Sequence, residues 1–250
     1  MNQIILNSES QELVKKLAEI SQLGPLPAVG TGDASIGMTL LSRLGLPYSS
    51  TTKPSFKGIV ITARRGTKAK DINRVNLFAK VPDWDVSSCK SSRELVDRYG
   101  YVRDGERKLY CTVRARQPNR QGLKLEIDRD AGLLREQYVD KNGICIPVAS
   151  WHLSGLEKKL MKSHQASVWI VAVSSKRGDE EFFHFRYATF TSAPRVTECV
   201  PLLEQGTITM DHLIWNRAGR VTEKGPLFKI KPENVESLLP VSARLDLLSL

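Results

Sequence analysis

The residues of this chain best suited to chemistry are its arginines and lysines, and they fall in groups. Arg64, Arg65, Lys68 and Lys70 follow one apolar segment. Arg114, Arg116, Arg120 and Lys124 lie on or beside a hairpin, and Lys158, Lys159 and Lys162 share a helix. Arg217, Arg220 and Lys224 occupy a Gly-containing stretch near the C-terminus. A guanidinium is a planar fork of donors that matches phosphate oxygens and the guanine edge, whereas an ammonium acts as a point charge on phosphate. Thirty-seven Lys and Arg against 27 Asp and Glu give a net charge of +10. A polyanionic partner is the first expectation from that balance. A merely solvated basic surface would carry the same charge, but several clusters on separate segments fit a nucleic acid better.

Side chains for bond-breaking chemistry are harder to assemble. Gly30-Thr31-Gly32-Asp33 is too short for a phosphate-binding loop and lacks its lysine. His152, His164, His184 and His212 are far apart and have no metal-ligand spacing, so packing or hydrogen-bonding roles are expected. Cys89, Cys111, Cys145 and Cys199 form no C-x-x-C pair and read as buried free thiols. Order along the chain supports no Ser-His-Asp arrangement.

The elements that would position these groups are mixed. Ser10 reads as the cap of a first helix carrying Leu13, Leu17 and Ile20 on one face and stopping at Gly24; a second helix runs from about Ser35 to Leu44. Strands are expected at 58–63, 75–80, 109–115, 122–128, 143–147, 167–174, 182–190 and 207–214. Helices are expected at 92–99, 151–162, 194–204 and 232–239. In the 109–115 segment Leu109, Cys111, Val113 and Ala115 share one face, with Tyr110, Thr112 and Arg114 on the other. The order is α+β without regular βαβ alternation. The 250 residues, 41% hydrophobic, suffice for one large domain or two lobes. No apolar run approaches the roughly 18 residues of a membrane span, and the start MNQIILNSES is unlike a signal peptide. A cytoplasmic protein is expected.

Taken together, Ile36-Gly37, Lys68-Ala69-Lys70, Asn76-Leu77-Phe78-Ala79-Lys80, Arg98-Tyr99-Gly100-Tyr101-Val102 and Gly122-Leu123-Lys124-Leu125 form an ordered series. Trp151, Leu156-Glu157-Lys158-Lys159-Leu160, Phe183-His184-Phe185, Met210-Asp211 and Lys224-Gly225-Pro226 continue it. Through this series the chain, from about residue 8 to 239, resembles the MvaI/BcnI family of type II restriction endonucleases. The resemblance implies a MutH-like variant of the PD-(D/E)XK fold, with two lobes around a DNA-binding cleft and magnesium as cofactor. It implies one family domain over 1–239 and an added leucine-rich tail at 240–250. The family's catalytic Asp, Glu and Lys fall on Ser55, Val60 and Thr62, and a helix glutamate falls near Leu41. A hydroxyl and an alkyl group do not replace two carboxylates around magnesium, so no metal site and no cofactor are expected. A base-contacting histidine of the family falls on Ala79, and the His-Asp pair of its late recognition loop on Thr222-Glu223.

Three functions follow as readings. The leading one is a pseudo-nuclease that binds double-stranded DNA as a recognition or recruitment module in phage defence or DNA processing. Its DNA contacts would be Arg64, Arg65, Lys68, Lys70, Lys80, Arg114, Arg116, Arg120, Lys158, Lys159, Arg217, Arg220, Thr222, Glu223 and Lys224. The second is an active magnesium-dependent endonuclease with migrated ligands such as Asp33 or Asp71. The third is a protein-interaction subunit without DNA. Residues 241–250, rich in leucine, either fold back on the core or dock on a partner.

Overall fold

A computed structural model describes residues 6–48, 55–66 and 74–250. The order begins α1 (Ser8–Gln22), β1 (Leu26–Pro27), α2 (Ser35–Arg43), β2 (Val60–Arg65), β3 (Val75–Ala79), α3 (Ser92–Tyr99), β4 (Tyr101–Arg103) and β5 (Glu106–Val113). It continues β6 (Leu123–Asp128), β7 (Leu133–Val139), β8 (Cys145–His152), α4 (Leu153–Ser163), β9 (Ser167–Arg177) and β10 (Glu180–Thr191). It ends α5 (Cys199–Glu204), β11 (Ile208–Arg217), β12 (Arg220–Glu223), β13 (Leu227–Ile230), α6 (Val235–Leu238) and β14 (Val241–Asp246). The chain divides into two compact units. One comprises Met1–Ile72, Ser163–Pro194 and Leu239–Leu250; the other comprises Asn73–Lys162 and Arg195–Leu238.

In the first unit α1 begins one turn before the expected cap. The Asn7 side chain accepts a hydrogen bond from the Ser10 amide at 2.9 Å, so Asn7 is the cap and Ser10 lies inside the helix. Leu13 and Leu17 are fully buried. Gly24, at φ +73°, takes the left-handed conformation that ends the helix. The sheet runs β1-β10-β9-β2, with β14 also on β10; the β2–β9 pair is parallel and the others are antiparallel. Val168, Ile170, Ala172, Phe183 and Phe185 share one core with Leu13, Leu17 and Leu40 of the helices. The opposite face carries Val60 across from Ser167, and Thr62 across from Trp169.

The C-terminal segment corrects the expectation of a separate tail. Val241–Asp246 pairs with β10, and Leu247 in the following 3-10 turn is fully buried. Of the two fates open to the leucine-rich end, folding back is the one observed: Ala243 and Leu247 are buried against the core, while Leu248 and Leu250 remain exposed.

In the second unit a sheet β3-β13-β11-β5-β4, with β12 on β11, packs by one face against the three-stranded sheet β6-β7-β8. Leu109, Val113, Met210, Ile214 and Phe228 are fully buried between them. His212 on β11 and Glu136 on β7 meet in this core at 2.9 Å, both side chains without exposed surface. Glu136 explains why β7 lacks a sequence signature: LLREQYV breaks the apolar alternation by placing a carboxylate inward, where only a buried histidine makes it tolerable. The expected helices at 194–204 and 232–239 are each a 3-10 turn followed by a short α-helix. Expected burial of all four thiols fails at Cys145, which is exposed. Burial pushes the Cys89 thiol up to about 11 and Cys199 to about 12.

Candidate nucleic-acid interface

Five lysines converge in the second unit. Lys80 follows β3, Lys158, Lys159 and Lys162 project from α4, and Lys224 follows β12; together they line an open recess of about 620 Å³. Sequence alone does not bring these segments together. Lys80 crosses the start of α4 at Gly155, where a Cβ would stand 3.0 Å from the Lys80 Cε. Its ammonium is tied to Asp83 at 2.6 Å. Burial works to raise the Asp83 carboxyl, but hydrogen bonds from Lys80 and the His152 amide outweigh it and hold Asp83 below the usual carboxylate range. Lys158, Lys159 and Lys162 are exposed, and among the described residues no carboxylate pairs with them. Three unneutralised ammonium groups on one helix turn are suited to a phosphate backbone.

Among the described residues, Glu223 is the one carboxylate lining this recess. It accepts from the Ser92 hydroxyl through Oε2, while Oε1 is buried without a hydrogen-bond partner. Burial pushes its carboxyl up, only partly offset by Ser92 and His212. Thr222 pairs with Trp215 on the opposite face of the sheet, so the neighbouring pair Thr222-Glu223 serves two faces.

That opposite face is polar and aromatic. Tyr110 and Thr112 of β5, Asp211 and Trp215 of β11, and Lys229 of β13 share it by register. Asp211 is caged by Arg74 (2.8 Å), Lys229 (2.8 Å) and the Thr112 hydroxyl (2.7 Å). Burial acts to raise its carboxyl and these donors overcome it, leaving Asp211 below the ordinary range. At one end of the sheet a two-residue hairpin, with Ala218 at φ +48° and Gly219 at φ +81°, holds out Arg217 and Arg220. Arg217 also reaches Glu106 at 3.2 Å. Arg114, Arg116 and Arg120 are exposed on the β5–β6 loop. This loop is knitted by Asn119, whose Nδ2 donates to the Thr112 carbonyl at 3.0 Å. Its Oδ1 accepts from the Gln121 and Leu123 amides, each at 2.9 Å.

The first unit contributes less than expected. Arg64 is exposed at the end of β2. Arg65, expected on phosphate, is already engaged: it donates to Glu181 at 2.7 and 2.8 Å, to Asp33 at 3.2 Å and to the Gly32 carbonyl at 3.0 Å. Strand alternation turns neighbouring arginines to opposite faces, and Arg65 meets carboxylates. Asp33, weighed above as a migrated metal ligand, makes that 3.2 Å contact from a fully exposed side chain. Lys68, Lys70 and Asp71 lie outside the described residues.

Of the positions on which the resemblance puts the family's motif, Val60 and Thr62 lie on β2 and Ser55 precedes it in a bend. Val60 is buried opposite Ser167, Thr62 lies half-buried beside Trp169, and the Ser55 amide donates to the Ile59 carbonyl at 3.0 Å. Leu41 is buried in α2. Two neutral hydroxyls and an alkyl group do not fit magnesium, which takes anionic oxygen ligands. Among the described residues no three His, Cys, Asp or Glu side chains come together as a metal site. Nor, among them, is any helix long and apolar enough to cross a membrane.

No curated protein matches the sequence. The solved complex of restriction endonuclease MvaI with its cognate DNA substrate is similar in fold, at 20% identity and a TM-score of 0.75, over 97% of this chain and 100% of that one. MvaI in the absence of DNA matches at 20% identity and a TM-score of 0.59, over 95% and 98%. The model of the MvaI/BcnI restriction endonuclease family matches residues 14–239. The chain therefore belongs to the MvaI/BcnI restriction endonuclease family.

Proposed function

We propose that this protein binds double-stranded DNA through the lysine recess and arginine loops of its second unit, and does not cut it. The observation that carries the reading is a contrast of charge. The positions of the family's catalytic residues hold Ser55, Val60 and Thr62, while the surfaces suited to phosphate hold Lys158, Lys159 and Lys162 without carboxylate partners among the described residues, and the exposed arginines of the β5–β6 loop. Affinity for DNA depends on the number of cations near phosphate, whereas cleavage depends on a few anionic oxygens placed around a metal. Removing the second leaves the first intact. The protein then acts as a recognition or recruitment module within a defence or DNA-processing system.

Phosphate contacts are assigned to Lys158, Lys159, Lys162 and Arg64. Base-edge contacts are assigned to Arg116, Arg120 and Arg220, with Arg114, Arg217, Thr222, Glu223 and Lys224 flanking them. Purified protein incubated with supercoiled and linear DNA of varied sequence, with magnesium or manganese, is expected to bind and leave the DNA intact. With about six phosphate contacts, the plot of log affinity against log salt has a slope of roughly −5. Metal-dependent cutting that disappears on mutation of a nearby acid would overturn the reading, and so would a flat salt response.

A further inference from the structure

The second unit holds another recess, of about 420 Å³, along β5. Tyr101 of β4, Tyr110, Cys111 and Thr112 of β5, and Asn119, Arg120 and Gln121 of the β5–β6 loop line it. Tyr101 pairs with Lys108, two residues before Tyr110, so both rings rise from the same sheet face. Tyr110 is 43% exposed and is held by an edge contact with Trp215, at 6.1 Å between centroids and 80° between planes. The loop that contributes Asn119, Arg120 and Gln121 is held by its own hydrogen bonds. Besides the three bonds made by the Asn119 side chain, the Asn119 amide donates to the Leu123 carbonyl and the Gly122 amide to the Asn119 carbonyl, both at 2.9 Å. Among the described residues no carboxylate lines the recess.

An aromatic wall, a guanidinium and a side-chain amide, with no anion, describe the needs of a planar uncharged ring that stacks and hydrogen-bonds on its edge. The recess is in the size range of small-molecule pockets and admits no duplex. Arg114, Arg116 and Arg120 on the adjoining loop supply positive charge for a backbone that must deliver such a ring. We propose that this recess receives a single nucleobase extruded from bound duplex DNA, stacked against Tyr110 with Arg120 and Gln121 at its edge. The proposal rests on the duplex-binding reading and adds to it a step of base extrusion, for which the cost is smallest at a mismatched or damaged pair.

The test uses the full chain and duplexes selected for binding from a random-sequence pool. In one set 2-aminopurine replaces one base at a time; in another a single mismatch is moved along the site. Fluorescence is expected to rise on binding at one position, and a mismatch there to tighten binding. Both effects are expected to vanish in Tyr110→Ala and to persist in Tyr110→Phe, which keeps the ring. The salt slope is expected to be the same in all three proteins, because no phosphate contact is removed. Where Tyr110→Ala does not fold, the double variant Arg120→Ala/Gln121→Ala, altered only on the loop, takes its place and is expected to abolish the fluorescence rise. Firm binding with unchanged fluorescence at every position overturns the proposal and leaves the duplex-binding reading standing. A rise that survives removal of the ring, or of the Arg120/Gln121 edge where Tyr110→Ala does not fold, also overturns it. Absence of duplex binding at low salt overturns both, and the affinity measurement on the same samples separates the two cases.

Discussion

Strand β2 of the first unit and the lysine recess of the second make opposite uses of charge. At positions 60 and 62 of β2 the strand is regular and carries no charge: Val60 and Thr62 stand opposite Ser167 and Trp169. In the recess the charge is kept although the frame is stitched from distant pieces, β3, α4 and the stretch after β12. The difference teaches that the two demands on sequence are unequal. A metal site needs particular atoms within a few tenths of an ångström, and one substitution removes it. A phosphate surface needs only enough cations in roughly the right place, since counterion release counts charges rather than geometry.

The largest effect is expected where that contrast is attacked directly. Replacing Lys158, Lys159 and Lys162 together by alanine lowers the salt slope by about 3, roughly one for each lost phosphate contact. Binding weakens for all duplexes alike, and the melting temperature stays near that of the parent because the three side chains are exposed. Thr62→Ala on β2 leaves affinity and slope unchanged. Equal losses from the two regions, measured by titration at several salt concentrations, would dissolve the comparison.

A second large effect concerns the frame that carries the recess. His212→Ala strands Glu136 in the core with no exposed surface. Removing one partner of a buried hydrogen-bonded pair costs about 1–3 kcal/mol, and more where a charge is left behind, read as a lower urea midpoint. The double variant His212→Ala/Glu136→Leu recovers most of that loss, since the uncompensated carboxylate is gone. A double variant as unstable as the single one would show that the pair does more than satisfy itself.

How far the sequence revealed this arrangement depends on the range of the forces involved. The alternation in β5 is local, and Leu109 and Val113 are fully buried as it requires while Tyr110 is exposed. The stop at Gly100 is local too, since a Cβ there would stand 2.3 Å from the Val96 carbonyl oxygen. β7 was hidden because Glu136 breaks its pattern for the sake of a histidine 76 residues away. Arg64 and Arg65 look alike in sequence; only a tertiary contact, Glu181 at a separation of 116 residues, makes one of them structural. The lysine clusters were visible as charges, but their gathering around Gly155 was not. Neither was the aromatic recess on β5, because Tyr101 and Tyr110 are ordinary strand residues until the Asn119 loop lines the same recess.

The neighbouring arginines give a finer comparison. Arg65→Ala removes a bidentate pair with Glu181 and contacts to Asp33 and Gly32, at a cost of about 1–2 kcal/mol once solvent screening of these partly exposed groups is allowed for. The salt slope for DNA stays the same. Arg64→Ala does the reverse, lowering the slope by about 1 with little change in stability. The pH dependence supplies an independent check. The hydrogen bond from Arg65 holds the Glu181 carboxyl below its usual range. A lowered folded value contributes stability above the ordinary carboxylate value and loses it as pH falls through the folded value. The parent protein is therefore expected to lose part of its advantage over Arg65→Ala on acidification, and the two urea midpoints to draw together.

The smallest effect is expected at Arg116, and its sign is the point. Arg116 stands at φ +76° on the exposed β5–β6 loop. A side chain in the left-handed region costs about 1–2 kcal/mol, and nothing in its burial explains why an arginine is placed there rather than glycine. Glycine accepts this conformation freely but loses about 0.5–1 kcal/mol more entropy on folding. Arg116→Gly is therefore expected to raise stability slightly, by about 0.5–1 kcal/mol as the balance of those two terms. The same change removes a guanidinium assigned to base edges, so discrimination among duplex sequences should narrow while binding to random DNA falls only by one charge. The Asn119 bonds keep the rest of the loop in place, so the loss is chemical and not a collapse of the loop. Melting curves and competition binding on the same preparation decide the matter. A stabilised variant with narrowed sequence preference marks the strain as the cost of displaying Arg116 to DNA; a stabilised variant with unchanged preference assigns base reading to Arg120 and Arg220 alone.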